Sequence, residues 1–514
     1  MRPRTYRLQY PDLVYYAPRM PKDLYDLGLP LGLVQDLLLR ALFVGGTVPG
    51  LDLSRTLNLP FSGVIDALID GFIREKVVDF KGGGGFGRAY FEYLLTEKGR
   101  QLAREAMERC AYVGPCPVPL EQYVALIKKQ MRDIPRVGMA EMRKTFHDLV
   151  MEDGLYDKLG PAVNSMRSLF LYGAPGNGKT SIAERIASLM KGEIFVPHAL
   201  AVDNQIIQVF DNMVHREIPP LDDPEGLGGN LRDAGEDRVE DTDGNLGQLT
   251  PVPPFDSRWT LCERPYIITG GELTLDMLDL SWDQSSRIYQ APFQVKSCQG
   301  MLLIDDFGRQ KVHPTDLLNR WIVPLEKRVD FLGLHTGKKF EVPFDLLIIF
   351  STNLDPAKLV DAAFLRRIRY KIEVKDPTEA LFAEIFKGEC SRQGVRYREE
   401  AVEYILALYY RRTGRGLRCC HPRDLLQLVC DLARFLGTNA VLDKRLIDHA
   451  CQSYFVHMEG DVAGKGVALR TEQRGPVSSP TARPAEGGQP RAAAPQSQSG
   501  GGPGSNTPPG RSGP

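Results

Sequence analysis

Apolar and polar positions change their periodicity several times along the chain, and each change predicts a different kind of element. In the first 109 residues a helical period gives way to strand-like alternation and then returns. The predicted elements are helices at residues 31–43, 51–57 and 61–73, strand segments at 76–80 and 88–95, and a helix at 96–107. Thr96 is a residue type that caps helix N-termini, and glycines at residues 82–85 separate the two strands. We therefore predict a small domain with a β-hairpin over residues 1–109.

The remaining chain has the pattern of a larger α/β protein. A Pro-rich linker over residues 110–124 leads into alternating apolar strands and amphipathic helices over 125–375, which is typical of a parallel sheet flanked by helices. An acidic Gly/Pro-rich insert at 219–256 lacks the apolar residues of a core and is predicted to be a mobile loop. Helical periodicity continues over 376–456 and predicts a helical lid, whereas the composition of 457–514 predicts a disordered tail.

Composition narrows the class of protein only slightly. A chain of 514 residues exceeds one compact core, and its net charge of −1 gives no overall attraction for nucleic acid or anionic membrane. The 9 cysteines are scattered without a C-x-x-C pair, which indicates free thiols in a reducing cytoplasm. Cys419, Cys420 and His421 are adjacent, but consecutive ligands point in different directions, so we expect no metal site there. No segment has the apolar length of a membrane span.

The run from Leu169 to Thr180 changes this picture most, because it places the pattern G-x-x-x-x-G-K-T between an apolar strand and a helix. Glycines let backbone N–H groups approach phosphate oxygens, and the helix N-terminus adds its positive dipole end. Lys179 would reach the β- and γ-phosphates, and the hydroxyl of Thr180 can bind Mg²⁺. We predict that the chain binds ATP with Mg²⁺. The residues expected to surround the nucleotide are Gly173, Ala174, Pro175, Gly176, Asn177, Gly178, Lys179, Thr180 and Ser181.

Two later apolar strands end in polar residues that suit the same chemistry. Residues 301–304 lead into Asp305 and Asp306, and residues 345–352 lead into Asn353. In a P-loop enzyme, Asp305 would complete the Mg²⁺ shell and Asp306 would orient or deprotonate the attacking water. The strand before Asn353 is expected to lie between the other two strands, which places Asn353 beside the γ-phosphate.

Three arginines complete a recognisable set. Arg366 and Arg367 lie near the end of a predicted helix, and Arg423 lies just after a helix start. Taken alone, each arginine is typical of a solvated surface charge. In this order behind a P-loop, the set resembles the AAA+ ATPase superfamily over residues 125–455. The resemblance implies a sensor 1 role for Asn353, an arginine finger at Arg366 or Arg367, and a sensor 2 role for Arg423. It also implies a homo-oligomeric ring, usually a hexamer, in which the finger acts on the neighbour's nucleotide.

A predicted β-hairpin over residues 329–344 narrows the resemblance further. It is similar to the pre-sensor-1 hairpin of MoxR-like, magnesium-chelatase-like and sigma-54-activator ATPases, and the run at 351–356 looks closest to MoxR-like members. The contact loop of sigma-54 activators is missing, so polymerase activation is not implied. Asp306 stands where the superfamily usually has Glu, which predicts slow turnover. No aromatic-Gly pore loop follows the strand at Glu193, so threading of a polypeptide is not expected.

The N-terminal domain resembles the winged-helix domains of MarR-like and PadR-like regulators. This leaves two functions open: an ATPase that remodels a protein client recruited through the winged helix, or a DNA-binding ATPase. Asp66 and Asp70 share one face of the third helix, and carboxylates there would repel DNA phosphates, which favours a protein client. A slow nucleotide-gated switch is a third hypothesis, because of Asp306.

Overall fold

The computed structural model describes residues 4–82, 85, 87–131, 136–190, 192–221, 239–240, 246–360 and 362–455. Its helices are α1 Leu31–Gly45, α2 Gly50–Leu57, α3 Asp66–Arg74, α4 Glu97–Arg109, α5 Leu120–Gln130, α6 Met139–Thr145, α7 Asp153–Asn164, α8 Lys179–Leu189, α9 Phe293–Lys296, α10 Pro314–Lys327, α11 Pro356–Leu359, α12 Ala362–Leu365, α13 Glu379–Gln393, α14 Glu399–Ile405, α15 His421–Phe435 and α16 Lys444–Tyr454. Its strands are β1 Arg4–Leu8, β2 Thr47–Pro49, β3 Val78–Lys81, β4 Glu92–Leu95, β5 Val118–Pro119, β6 Leu169–Tyr172, β7 Glu193–Pro197, β8 Ala199–Val202, β9 Gln205–Gln208, β10 Val239–Glu240, β11 Leu246–Val252, β12 Trp259–Glu263, β13 Tyr266–Thr269, β14 Ser281–Asp283, β15 Ile288–Gln290, β16 Met301–Ile304, β17 Val329–Gly333, β18 Lys339–Pro343, β19 Leu347–Thr352 and β20 Tyr370–Glu373.

A five-stranded parallel sheet in the order β13–β16–β19–β6–β20 forms the centre of the fold. Every residue of β16 and β19 is buried, and all but Ser351 and Thr352 are apolar, as expected for parallel strands covered on both faces. Residues of α6, α7 and α8 pack on one face, and residues of α10 pack on the other. The predicted α/β class with a parallel sheet and flanking helices is confirmed. As predicted, β19 lies between β16 and β6.

A second five-stranded sheet, in the order β14–β15–β9–β8–β5, is of mixed direction. It shares a core with α5, β12 and the hairpin β17–β18. The hairpin was predicted at residues 329–344, and its strands pair antiparallel from Val329 opposite Pro343 to Gly333 opposite Lys339. Its inward residues, Leu332 and Val342 among them, are buried in that core.

The first strand joins this second core, although it precedes the N-terminal helices in the chain. β1 pairs antiparallel with β11, and the backbone N–H groups of Gln9 and Tyr10 donate to the carboxylate of Glu193 at 2.5 and 3.2 Å. Instead of the mobile loop predicted over 219–256, residues 246–252 form a strand because β1 supplies the backbone partners. Residues 222–238 and 241–245 of that insert lie outside the described residues.

Helices α1–α4 pack around a separate apolar cluster with a three-stranded antiparallel sheet in the order β2–β4–β3. The predicted cap is present, since the hydroxyl of Thr96 accepts from the N–H of Gly99 at 3.1 Å. The third helix begins at Asp66 and not at Phe61, because residues 62 and 63 have non-helical backbone angles. Two of the glycines at the predicted hairpin tip, residues 83 and 84, lie outside the described residues.

Helices α13–α16 follow β20 and share their own apolar core. The helical periodicity over residues 376–456 corresponds to α13, to α14 with the turn after it, to α15 and to α16. The tail predicted over 457–514 lies outside the described residues. Within the described part, no single helix is long and apolar enough to span a membrane; Gly50–Leu57 and Phe61–Arg74 meet that test only as a bent pair.

Candidate nucleotide-binding site

The P-loop lies between β6 and α8, and its glycines are required by geometry. Gly173 has a φ of 142°, and a Cβ on it would lie 2.2 Å from the carbonyl oxygen of Val374 just after β20. Gly178 caps α8 with a φ of 80°. Both angles are in the region that glycine adopts without steric cost. The loop therefore keeps the N-terminus of α8 open at the carboxyl end of the sheet, where anions are favoured.

The side chain of Lys179 makes three hydrogen bonds and is only 7 % exposed. Its ammonium donates to the carbonyl oxygens of Gly173 and Ala174, both at 3.0 Å, and to Oδ1 of Asn353 at 2.6 Å. Burial lowers the pKa of Lys179, and the nearby carboxylates of Asp305 and Asp306 oppose that shift. The cation is thus held at the mouth of the loop and in contact with the neighbouring strand end.

The two acids after β16 have different partners. Asp305 accepts a hydrogen bond from the hydroxyl of Thr180 at 2.8 Å. Asp306 accepts from the side-chain amide of Asn353 at 2.9 Å, and its own backbone N–H donates to Asp305 at 2.9 Å. Asp306 therefore lies on the Asn353 side of the site, whereas Asp305 lies beside α8.

A hydroxyl and a carboxylate oxygen in contact are a donor set that fits Mg²⁺, which binds proteins through few ligands and completes its shell with phosphates and water. Among the described residues, no group of three or more His, Cys, Asp or Glu side chains is placed to hold a metal ion. Thr180 and Asp305 are consequently suited to a metal that arrives with a phosphate ligand.

These groups open into one cavity of about 660 Å³, within the size range of small-molecule sites. Its walls come from the P-loop, the strand ends after β16 and β19, the segment at residues 147–151, and helices α13 and α15. Arg423 lines this cavity and pairs with Asp424 at 2.9 Å. The predicted residues from Pro175 to Ser181, with both acids and Asn353, also line it.

The structure places Arg366 and Arg367 elsewhere. They line a second cavity, of about 380 Å³, at the amino ends of β6, β19 and β20. Four other cations share its wall: Arg167, Arg328, Arg369 and Lys371. Burial and the nearby charges of Arg328 and Arg369 lower the pKa of Arg167. The P-loop lies at the opposite, carboxyl end of the same sheet, so Arg366 and Arg367 do not meet the nucleotide cavity of their own chain.

Sequence reasoning missed several residues beside the P-loop. Asp376, Arg418 and Cys419 form hydrogen bonds with Asn177 or with one another. The segment at residues 147–151 and Arg392 of α13 complete the far wall of the cavity. Asp376 precedes a proline and lies between β20 and α13, at the boundary predicted between the sheet and the helical lid. Nothing local in the sequence indicates the contacts of the others, which join positions far apart in the chain.

Comparisons with known proteins add little. A family model described as a domain of unknown function, DUF8689, matches residues 378–453. No curated protein matches the chain. Among solved structures, a mutant of Thermotoga maritima RuvB has a TM-score of 0.33 at 15% identity, and the alignment covers 61% of this chain and 73% of that one.

A RuvB structure described as a Holliday junction branch migration motor gives a TM-score of 0.30 at 15% identity, covering 62% of this chain and 72% of that one. NtrX from Brucella abortus in complex with ADP gives 0.33 at 12% identity, covering 71% and 64%. Likenesses at such TM-scores carry no functional conclusion for this chain.

Proposed function

We infer that the chain binds and hydrolyses ATP with Mg²⁺, as an ATPase of the AAA+ type. The observation that carries this proposal is the pair of contacts inside one cavity, Thr180 to Asp305 and Lys179 to Asn353. They bring together a cation for phosphates and two oxygen ligands for a metal, beside the carboxylate of Asp306, which accepts from Asn353. Phosphoryl transfer needs mainly these positioned charges, because its transition state spreads negative charge over the phosphoryl oxygens.

In this proposal, each residue has a role that follows from its position in the site. Lys179 binds the phosphates, and Thr180 and Asp305 hold Mg²⁺, which supplies charge neutralisation of the triphosphate when bound. Asp306 is the general base or the group that orients the attacking water. Asn353 holds the Asp306 carboxylate in place through the 2.9 Å hydrogen bond. Arg423, on the wall formed by the helical lid, couples the state of the phosphates to the position of that lid.

We place Arg366 and Arg367 on the nucleotide of a neighbouring copy in a homo-oligomeric ring. Their cavity lies across the sheet from the P-loop, so within one chain they are separated from the nucleotide they are proposed to serve. Cations supplied in trans raise phosphoryl-transfer rates by about 10³–10⁵. The surrounding cations would favour the approach of a triphosphate.

We extend the proposal to remodelling of a protein client that is recruited through the N-terminal winged helix. Arg88 pairs with Asp66 at 3.2 Å and with Asp70, so one guanidinium meets two carboxylates and the group keeps one net negative charge. This pairing engages the Arg88 guanidinium and leaves a net negative charge, and neither favours contact with DNA phosphates. Phe80 and Tyr90, both about half exposed, offer apolar contacts of the kind that protein interfaces use.

Steady-state ATP hydrolysis by the purified chain, with and without duplex DNA, tests the proposal, and Lys179→Ala is the control. We expect hydrolysis that is indifferent to DNA and abolished in Lys179→Ala. Hydrolysis that survives in that variant would exclude the assigned site. Strong stimulation by DNA would replace the protein client with a DNA partner, and tight ATP binding without turnover would identify a nucleotide-gated switch.

A further inference from the structure

The side chain of Asn177 joins the P-loop to two segments that are distant in sequence. It is only 3 % exposed, and both ends of its amide are occupied by protein groups. The Nδ2–H donates to Oδ1 of Asp376 at 2.8 Å, and Oδ1 accepts from the backbone N–H of Cys419 at 3.3 Å. An amide satisfied in this way is directed at protein and not at phosphate.

Asp376 extends the link, because its second oxygen pairs with the guanidinium of Arg418. It lies between β20 and α13, where the parallel sheet ends and the helical lid begins. One carboxylate at this hinge therefore holds the P-loop with one oxygen and the loop before α15 with the other. Hydrogen bonds to a charged acceptor are stronger than neutral ones, which suits Asp376 to this position.

A second contact runs parallel to the first. The backbone N–H of Cys420 donates to the carbonyl oxygen of Gly176 at 2.9 Å. A Cβ at Gly176 would lie 2.6 Å from Sγ of Cys420, so the two loops are in close contact. Helix α15 starts at the next residue and carries Arg423 to the nucleotide cavity. The position of Arg423 thus depends on how this loop sits against the P-loop.

We propose that Asn177 and Asp376 are positioning residues that lock the P-loop to the helical lid, so that the nucleotide cavity is assembled before nucleotide enters. This proposal rests on the proposed function. A ligand binds less tightly to a site that is assembled for only part of the time, in proportion to the assembled fraction. Loss of the lock therefore weakens nucleotide binding, although the polar groups of both side chains are hydrogen-bonded to protein partners.

Calorimetric titration of the full chain with ADP and Mg²⁺ tests the lock in Asn177→Ala, in Asp376→Ala and in the double variant. We expect each single variant to bind about tenfold more weakly, the effect of losing one charge-assisted hydrogen bond. Because the two side chains share the hydrogen bond between them, the double variant should bind less weakly than the product of the two single losses predicts. Arg411→Ala is the matched control, since it breaks a surface pair of the lid with Glu379 and Glu403 away from the P-loop.

The kinetic counterpart is a rise in KM for ATP that exceeds any fall in kcat. Asp376→Asn keeps the acceptor for Asn177 and loses the ion pair with Arg418, so it should fall between parent and Asp376→Ala, and it replaces the alanine variant if that does not fold. Parent-like binding in Asp376→Ala, or losses that multiply in the double variant, would overturn the lock. Parent-like binding in Lys179→Ala would instead overturn the nucleotide site itself.

Discussion

At the scale of single residues, the backbone conformation at position 306 favours Asp over Glu. Its φ of 48° lies in the left-handed region, which Asp and Asn occupy more readily than Glu does. The shorter acid still meets Asn353 at 2.9 Å. The substitution that suggested slow turnover in the sequence is thus also a fit to the turn after β16.

Asp306→Asn should lower kcat by about 10²–10⁴, the usual contribution of a general base, and leave binding of ATP with Mg²⁺ close to that of the parent. Binding is expected to survive because Thr180 and Asp305 keep their contact. Turnover and calorimetric affinity measured on the same preparation check both halves. Asp306→Glu tests the two effects separately. The longer side chain should hold the attacking water better and raise turnover, whereas Glu in the left-handed backbone conformation should lower the melting temperature. An Asn variant that turns over like the parent would remove Asp306 from the mechanism.

Gly173→Ala should destabilise the fold by about 1–3 kcal/mol and abolish nucleotide binding, since the new Cβ enters the carbonyl of Val374 and the backbone angle is strained. Gly337→Ala is the matched control. Its φ of 86° carries similar strain, but no atom lies within 4 Å of the added Cβ and the hairpin tip is far from the P-loop in sequence. Urea unfolding and ADP titration should rank Gly173→Ala as the more damaging change, and equal losses would refute the steric argument.

How far the sequence predicts this site depends on the distance between partners along the chain. A strand, a loop and a helix N-terminus are local, so the P-loop could be read directly, and parallel strands bring their polar ends to one edge. Lys179, Asp305 and Asn353 therefore meet as expected. Asn177 and Asp376 are 199 positions apart, and no periodicity or motif indicates that their side chains touch.

At the scale of elements, helix α15 begins with a half-buried histidine that packs against other residues of the C-terminal helical region. His421 contacts the hydroxyl of Tyr410 at 2.8 Å through Nδ1, and its ring meets those of Tyr454 and Phe455. Burial lowers the pKa of His421 to about 4, and the charge of Arg418 adds to the shift. The neutral imidazole is therefore the form that the folded lid accepts.

Acidification should weaken the lid through this residue. An unfolded histidine has a pKa near 6.5, so between about pH 6.5 and 4 the unfolded chain binds the extra proton and stability falls as the pH falls. At pH 5, His421 is expected to lower the free energy of unfolding by on the order of 1–2 kcal/mol. His421→Gln should lose less melting temperature than the parent between pH 7 and pH 5, with the exposed His147→Gln as control. An unchanged pH dependence would show that another group dominates.

Elements with strong local signals agree with prediction, and those with tertiary partners do not. The hairpin β17–β18 has alternation and a turn of its own, and it forms at the predicted place. Residues 246–252 belong to the insert that was predicted to be a mobile loop, yet they form a strand because β1, more than two hundred residues away, pairs with them. Helix α3 begins at Asp66 and not at Phe61 as predicted, because Gly63 adopts a φ of 85°, which is not a helical backbone angle.

At the scale of the whole molecule, the N-terminal residues connect two cores. Tyr6 and Leu8 of β1 are buried with the second sheet, whereas α1–α4 have a core of their own. Asn58 after α2 donates to the backbone of Ser257 at 2.7 Å, and Cys116 after α4 donates its N–H to Leu57. Chain segments on both sides of the N-terminal helices thus hold them against the core of the second sheet. Under the proposed function, a client bound at these helices would therefore be mechanically linked to that core.

The proposed ring predicts that two inactive variants restore activity when they are mixed, because each active site needs residues from two copies of the chain. Lys179→Ala lacks the phosphate-binding cation, and the double variant Arg366→Ala/Arg367→Ala lacks both candidate trans cations. Each preparation alone should be inactive or nearly so. If sites form between copies, an equal mixture allows the intact P-loop of one variant to meet the intact arginines of the other.

With random assembly about one interface in four is complete, so the mixture should recover about a quarter of the parent rate per chain. Turnover after co-incubation of the two purified variants measures this, and dilution should abolish the recovered activity along with the oligomer. A matched mixture of Lys179→Ala with Arg411→Ala, whose surface pair lies in the lid, controls for mixing itself. Activity no greater than the sum of the separate variants would place the arginines outside the reaction and return the chain to a site contained in one copy.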